Sequence, residues 1–168
     1  MISEPASRWI LIGNSGSGKS TLADRMGVSL NLPVYDLDLI HWHADGRKRD
    51  EVDARGRVAE VATGDEWVIE GVYGWLAEVA MPRADTLIWL DLSWDECRSG
   101  LLARGLRRGM TRSDQDALLA WAQDYWTRTI ASSSLGHERQ YRMFEGNKAR
   151  LRTRGEIAVF EPRQPDFL

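Results

Sequence analysis

An apolar run, Arg8-Trp9-Ile10-Leu11-Ile12, stops at a glycine-rich octet, Gly13-Asn14-Ser15-Gly16-Ser17-Gly18-Lys19-Ser20. A stretch with helical spacing follows directly, residues 19–30, with Leu22, Met26 and Leu30 on one face. Continuous apolar character over so short a run predicts a parallel strand buried on both faces. The octet satisfies G-x-x-x-x-G-K-[ST] at every fixed position, in the strand–loop–helix setting that gives this pattern its meaning. Each residue type has a physical task. Glycines let the backbone turn tightly and aim its N–H groups inward without Cβ clashes. Those N–H groups and the positive end of the following helix make an anion cradle. Lys19 supplies a point charge for β and γ phosphates. The Ser20 hydroxyl is a ligand for Mg²⁺, and Thr21, next in the chain, is grouped with the nucleotide-binding residues. The octet therefore predicts a site for the phosphates of a nucleoside triphosphate, ATP with Mg²⁺.

The rest of the chain alternates strands and helices. Residues 33–35 form a second strand, ending at Asp36 and Asp38; residues 67–69 form a third, ending at Glu70-Gly71; residues 86–92, nearly all apolar, form a central fourth. Helical patterns occupy residues 51–63 (Val52, Val58, Val61 and Ala62 as the apolar side), 95–106 and 113–130, and residues 45–50 read as loop. The C-terminus has two readings. Residues 157–160 have β-propensity, whereas Thr153-Arg154-Gly155-Glu156 has the spacing of a capping box that opens a helix and makes residues 149–152 the fifth strand. The capping-box reading is preferred. Such alternation predicts a parallel sheet covered by helices on both faces.

Ligands of parallel sheets bind beyond the carboxyl ends of the strands, and carboxylates cluster there. Asp36 and Asp38 can order Mg²⁺ waters or activate a hydroxyl acceptor; as alternatives they are capping or turn aspartates. Glu70 can hold a Mg²⁺-bound water, with Asp91 competing for that role. Arg98, Arg104, Arg107, Arg108 and Arg112 fall within fifteen residues. Arg104 and Arg108, four apart, are expected on one helix face, and Gly105 and Gly109 would let the segment bend. Such arginines can stabilise charge on a phosphoryl group in transfer, or form an ordinary solvated basic face. Trp42 and Trp75 lie near these loops and could stack on a ligand, while Trp9, Trp67 and Trp89 read as core. His41 and His43 have poor spacing for one metal and read as loop or core residues.

Composition narrows the function. Twenty-two basic and 25 acidic residues leave a net charge of −3, which argues against tight duplex binding, because non-specific affinity comes from neutralising phosphates. The single cysteine, Cys97, rules out a disulfide framework and reads as a small buried hydrophobe. No run approaches the ~20 apolar residues of a membrane span, and residues 1–7 lack the pattern of a signal peptide. The expected compartment is the cytoplasm.

Five segments together carry a resemblance: residues 13–23; Leu32-Pro33-Val34-Tyr35-Asp36-Leu37-Asp38; Trp67-Val68-Ile69-Glu70-Gly71-Val72-Tyr73-Gly74; residues 82–91; and Arg150-Leu151-Arg152-Thr153-Arg154. They resemble the adenylate-kinase-related P-loop proteins termed topology modulation proteins, over nearly the whole chain. The resemblance implies a three-layer α/β P-loop NTPase fold of the nucleoside-monophosphate-kinase type, with five parallel strands in the order 2-3-1-4-5. It implies an acceptor site near Asp36, Asp38, Glu70 and Tyr73, a lid-like arginine segment over residues 104–112, and base contacts near Arg152 and Arg154. Glu70 stands where the family usually has Asp, and Val72 where it usually has Asn. The expectation is one P-loop kinase-like domain over residues 1–168 with a lid-like segment at 104–136. It would move the γ-phosphoryl of ATP to a nucleotide or another small acceptor, with Lys19, Asp36, Asp38, Glu70, Arg104 and Arg108 as catalytic residues. The rival expectation is a nucleotide-dependent regulator of DNA topology with weak ATPase activity.

Overall fold

The computed structural model describes residues 7–162. Five parallel strands form one sheet: β1 (Arg8–Gly13), β2 (Val34–Asp36), β3 (Trp67–Gly71), β4 (Thr86–Leu90) and β5 (Asn147–Leu151), in the order β2-β3-β1-β4-β5. The expected α/β architecture and strand order both hold. β1 lies at the centre, paired with β3 from Arg8↔Trp67 and with β4 from Trp9↔Thr86.

Side chains alternate along each central strand, and each face has its own core. Ile10, Ile12, Trp67, Ile69, Leu87 and Trp89 point to one face, where they meet α3 (Glu51–Ala62) and α4 (Gly74–Ala80). Trp9, Leu11, Val68, Ile88 and Leu90 point to the other, where α1 (Lys19–Leu30) contributes Leu22 and Met26 and α5 (Trp94–Arg104) contributes Cys97. Trp9, Trp67 and Trp89 are core residues, as expected, and so is Cys97. In α3 the inward residues include Ala54, whereas Val52, expected inside, is 80% exposed. Asp50 caps that helix, accepting the Val52 and Asp53 N–H groups, and the resulting phase turns residue 52 outward.

Three helices escaped the sequence pattern: α2 (Leu37–His41), α4, and α7 (Ser134–Met143). The first is too short to show a period. Asp36 caps it, so Asp38 sits inside a helix rather than at a strand end. The helix expected over 95–106 stops at Arg104, because Gly105 takes φ +68°. Arg104 and Arg108 therefore do not share a helix face. The helix expected over 113–130 is α6 (Arg112–Gln123), followed by a 3₁₀ turn, Asp124–Trp126. The Arg128 guanidinium donates to the carbonyls of Trp121 and Ser132 and folds the chain back on itself there.

At the C-terminus the preferred reading holds. β5 is followed by α8 (Arg154–Val159), with the Thr153 hydroxyl accepting the Glu156 N–H at 3.1 Å. The reciprocal arm differs from a capping box: the Glu156 carboxylate takes the Arg152 N–H. Among the described residues no helix is long and apolar enough to cross a membrane.

Candidate active site

A cleft of about 1050 Å³ opens beyond the carboxyl ends of β1 and β3. The glycine-rich loop forms one end, and α2, α5 and α6 form the walls. The loop is pressed against α5. A Cβ on Gly16, whose φ is +80°, would lie 2.2 Å from the Cys97 carbonyl, and one on Gly100 would lie 2.4 Å from the Gly16 carbonyl. Only glycines permit that approach, and it sets the shape of the cradle.

Loop residues divide into two kinds. Ser15, Gly16, Gly18, Lys19, Ser20 and Thr21 line the cleft. Asn14 instead braces the loop from behind: its side-chain amide donates to the Ala122 carbonyl at 2.8 Å, and its Oδ1 accepts the Ser15 N–H. Gly13 and Ser17 likewise lie outside the lining. The Lys19 ammonium donates to the Asn14 carbonyl at 2.7 Å. Burial lowers its pKa, with Glu70, Asp38 and Asp36 opposing that shift. Arg154, read from the resemblance as a base contact, donates to the Ser17 carbonyl at 2.9 Å and the Gly16 carbonyl at 2.6 Å. It clamps the loop from α8 while one side still lines the cleft. Arg152 is exposed and outside the lining.

The carboxylates also divide. Ser20 donates its hydroxyl proton to Glu70 Oε1 at 2.8 Å, so the start of α1 and the carboxyl end of β3 meet through side chains. Burial pushes the Glu70 carboxyl up to about 7, against the pull of Lys19. Asp38 faces the cleft. Asp36 does not; its Oδ1 accepts the Asp38 N–H at 2.7 Å, which fixes the start of α2. Burial, then the neighbouring Asp38, raises the Asp36 pKa. Asp91, the sequence competitor of Glu70, is held by Arg150 at 2.7 Å and lies away from the cleft.

Of the arginine cluster, Arg104 and Arg107 line the cleft, whereas Arg98, Arg108 and Arg112 do not. Arg107 reaches across to Asp38, with 3.7 Å between Nη1 and Oδ2. Burial and the adjacent Arg107 lower the Arg104 pKa.

Aromatic side chains cluster on another part of the lining. The Trp42 indole donates to the Tyr73 hydroxyl at 2.9 Å. The His41 ring lies 4.2 Å from that of Tyr73, and Trp121 of α6 lies 6.3 Å beyond it. Trp75 touches His41 edge-on but stays outside the lining, and so does His43. Trp121 went unnoticed in the sequence, although the run Leu118-Leu119-Ala120-Trp121 marked an apolar face. Arg128 stacks on it at 4.0 Å while donating to its carbonyl.

A buried chain of polar groups supports this wall. The Val72 carbonyl can only accept, so His137 Nε2 carries the proton it receives at 3.0 Å. His137 Nδ1 then accepts from the Tyr125 hydroxyl at 2.7 Å, and Tyr125 accepts the Trp89 indole N–H at 3.2 Å. Burial holds His137 neutral, its pKa pushed down to about 3. Nothing in the spacing of these residues announced the network; it joins positions 65 apart in sequence.

Among the described residues no three His, Cys, Asp or Glu side chains gather as a metal site. The Ser20–Glu70 pair still suits Mg²⁺, which commonly takes only one or two protein oxygens and completes its shell with water and substrate phosphates.

No family model matches the chain, and no curated protein matches it. Solved structures do share its architecture. A shikimate kinase from Bacteroides thetaiotaomicron is 19% identical, with 90% of this chain and 92% of that one aligned at a TM-score of 0.58. A gluconokinase from Sinorhizobium meliloti 1021 is 16% identical over 93% and 87%, at 0.56. A sugar kinase from Janibacter sp. HTCC2649 is 14% identical over 88% and 86%, at 0.51. The chain has the P-loop kinase fold.

Proposed function

We propose that this protein is an ATP-dependent phosphotransferase acting on a small hydroxyl acceptor, related to the topology modulation proteins within the adenylate-kinase-like group. One observation carries the reading: the phosphate loop and a cleft-facing carboxylate, Asp38, line a single cleft. Lys19 and the loop N–H groups hold the β and γ phosphates of ATP. Ser20 and Glu70 hold Mg²⁺, whose charge, when bound, offsets that of the phosphate oxygens. In the transfer, the acceptor oxygen bonds to the γ-phosphorus, the bond from that phosphorus to the β,γ-bridging oxygen breaks, and ADP leaves. The hydroxyl proton passes to the Asp38 carboxylate. Asp36 acts through Asp38, by fixing the turn that presents it. Residues 104–112 act as the lid-like segment, and Arg104 and Arg107 meet the transferring phosphoryl group from it. When Arg107 turns to phosphate it releases Asp38 to accept the proton.

Isothermal titration of ATP·Mg²⁺ into parent and Lys19→Met, paired with ADP release, tests the reading. Tight binding lost in the variant supports it. Equal affinity in both would sink it.

A further inference from the structure

Every kinase of this kind must hold its acceptor at the end of the cleft away from ATP, and the side chains there define what can be held. Building on the phosphotransferase reading, we infer that the acceptor is an uncharged hydroxyl compound with a flat ring face, a nucleoside or a sugar ring, rather than a nucleotide or a carboxylate. Two observations carry this.

The first is charge. An acceptor bearing phosphate is ordinarily gripped by guanidinium groups in bidentate fashion. The acceptor-side segment between β2 and β3 has four arginines, and protein groups occupy all four. Arg47 pairs with Asp45 at 2.7 Å, and Arg57 with Asp53 at 3.2 Å. Arg49 donates to the Ile40 carbonyl at 2.8 Å and to Asp53, while Arg55 donates to the Trp75 carbonyl at 3.0 Å. None of the four lines the cleft. Lys48 does, but it is exposed and lies over the Trp42 ring, 5.6 Å from its centroid. Arg104 and Arg107 line the cleft as well, and Arg107 faces Asp38 at 3.7 Å. The proposed transfer commits both guanidinium groups to the transferring phosphoryl group, which leaves the Asp38 carboxylate as the charge facing the acceptor. A phosphate or carboxylate on the acceptor would meet like charge there, at a cost that grows as the cleft closes and water leaves.

The second is shape. Tyr73 and Trp121 line the same end, and Trp121 is held by the guanidinium of Arg128, stacked on it at 4.0 Å. An indole immobilised in this way offers a preorganised stacking surface, which suits a ring face and gives nothing to an isolated anion. A carboxylate beside an aromatic plane matches a ring bearing hydroxyls: the plane takes the face and Asp38 takes one hydroxyl.

The test measures ADP release by the full chain with ATP·Mg²⁺ and matched acceptors: adenosine against AMP, and D-glucose against D-gluconate and glucose 6-phosphate. Adenosine or glucose should raise ADP release above the water-only rate, with the charged counterparts at background; whichever is active separates the nucleoside from the sugar source. With the active compound, Trp121→Ala should raise the acceptor KM by ~10-fold while leaving the KM for ATP within about twofold. Lys48→Ala should leave the acceptor KM unchanged. A charged member outpacing its uncharged partner, a loss of acceptor affinity in Lys48→Ala, or no response to either uncharged compound overturns the inference. ATP·Mg²⁺ binding by the parent is measured alongside. If it persists, only the acceptor class has failed; if it is absent, the phosphotransferase reading has failed as well.

Discussion

The two ends of the cleft are built in opposite ways. The end proposed to take phosphate is one contiguous octet set between a strand and a helix, pressed on α5 at two glycines and clamped by Arg154. Its lysine is buried and its serine is tied to a buried glutamate. The proposed acceptor end is gathered from four separate places: Asp38 and Trp42 around α2, Tyr73 after β3, Arg107 beyond α5, and Trp121 of α6. Arg107 is half-exposed, and its ion pair with Asp38 spans 3.7 Å. Exposed pairs of this kind contribute at most about 1 kcal/mol. A contiguous end and a composite end suit the proposed reaction, in which the donor is constant and the acceptor defines the enzyme.

The largest test of this contrast is Lys19→Met. Transfer should fall by at least ~10³-fold, since a charge on the transferring group is lost. Folding should be unharmed or improved, because burial already disfavours the charged lysine in the native state. Thermal unfolding and single-turnover assays read the two effects. A variant that unfolds as activity disappears would make the lysine structural.

Next come the two aspartates, which the sequence treated as a pair. Asp38→Asn should lower kcat by ~10²-fold or more, the usual scale of a lost general base. Asp36→Asn should cost less than about tenfold, because asparagine caps a helix nearly as well as aspartate. Equal losses would mean that Asp36 also touches the reacting groups.

The buried network behind the acceptor wall predicts an acid-sensitive fold. His137 is neutral in the native state, with its pKa at about 3, and becomes protonated in the unfolded chain below its ordinary value of 6.5. Its contribution is therefore present above pH 6.5 and is lost as pH falls towards 3. Between pH 7 and pH 5 the unfolding free energy should drop by about 2 kcal/mol through this group. Urea titrations of parent and His137→Asn at both pH values isolate it; a parallel drop in both proteins would assign the sensitivity elsewhere.

The smallest effect concerns Glu70. Its carboxyl titrates near 7, so the ionised form that suits Mg²⁺ falls to roughly a tenth at pH 6. Mg²⁺-dependent ATP affinity should weaken up to about tenfold from pH 8 to pH 6 beyond any change in Glu70→Gln. Identical pH profiles for the two proteins would remove Glu70 from the metal site.

Read along the chain alone, the phosphate loop, the α/β class and the C-terminal strand–helix pair were all legible. Each depends on neighbours in sequence: apolar continuity in residues 8–12, φ-permissive glycines before Lys19, and a threonine three residues ahead of a glutamate. The family resemblance added the strand order, which local pattern cannot supply. Tertiary structure decided the rest. It separated Asp36 from Asp38 by making one the cap of a five-residue helix. It turned Arg154 onto the loop carbonyls and Asp91 onto Arg150, roles set by groups 137 and 59 residues away. It also brought Trp121 into the cleft beside Tyr73 and threaded Trp89, Tyr125 and His137 to the Val72 carbonyl. Such contacts join helices and strands whose spacing in the chain is arbitrary. Hydrogen-bond need and close packing select them only once the sheet has fixed where each element ends.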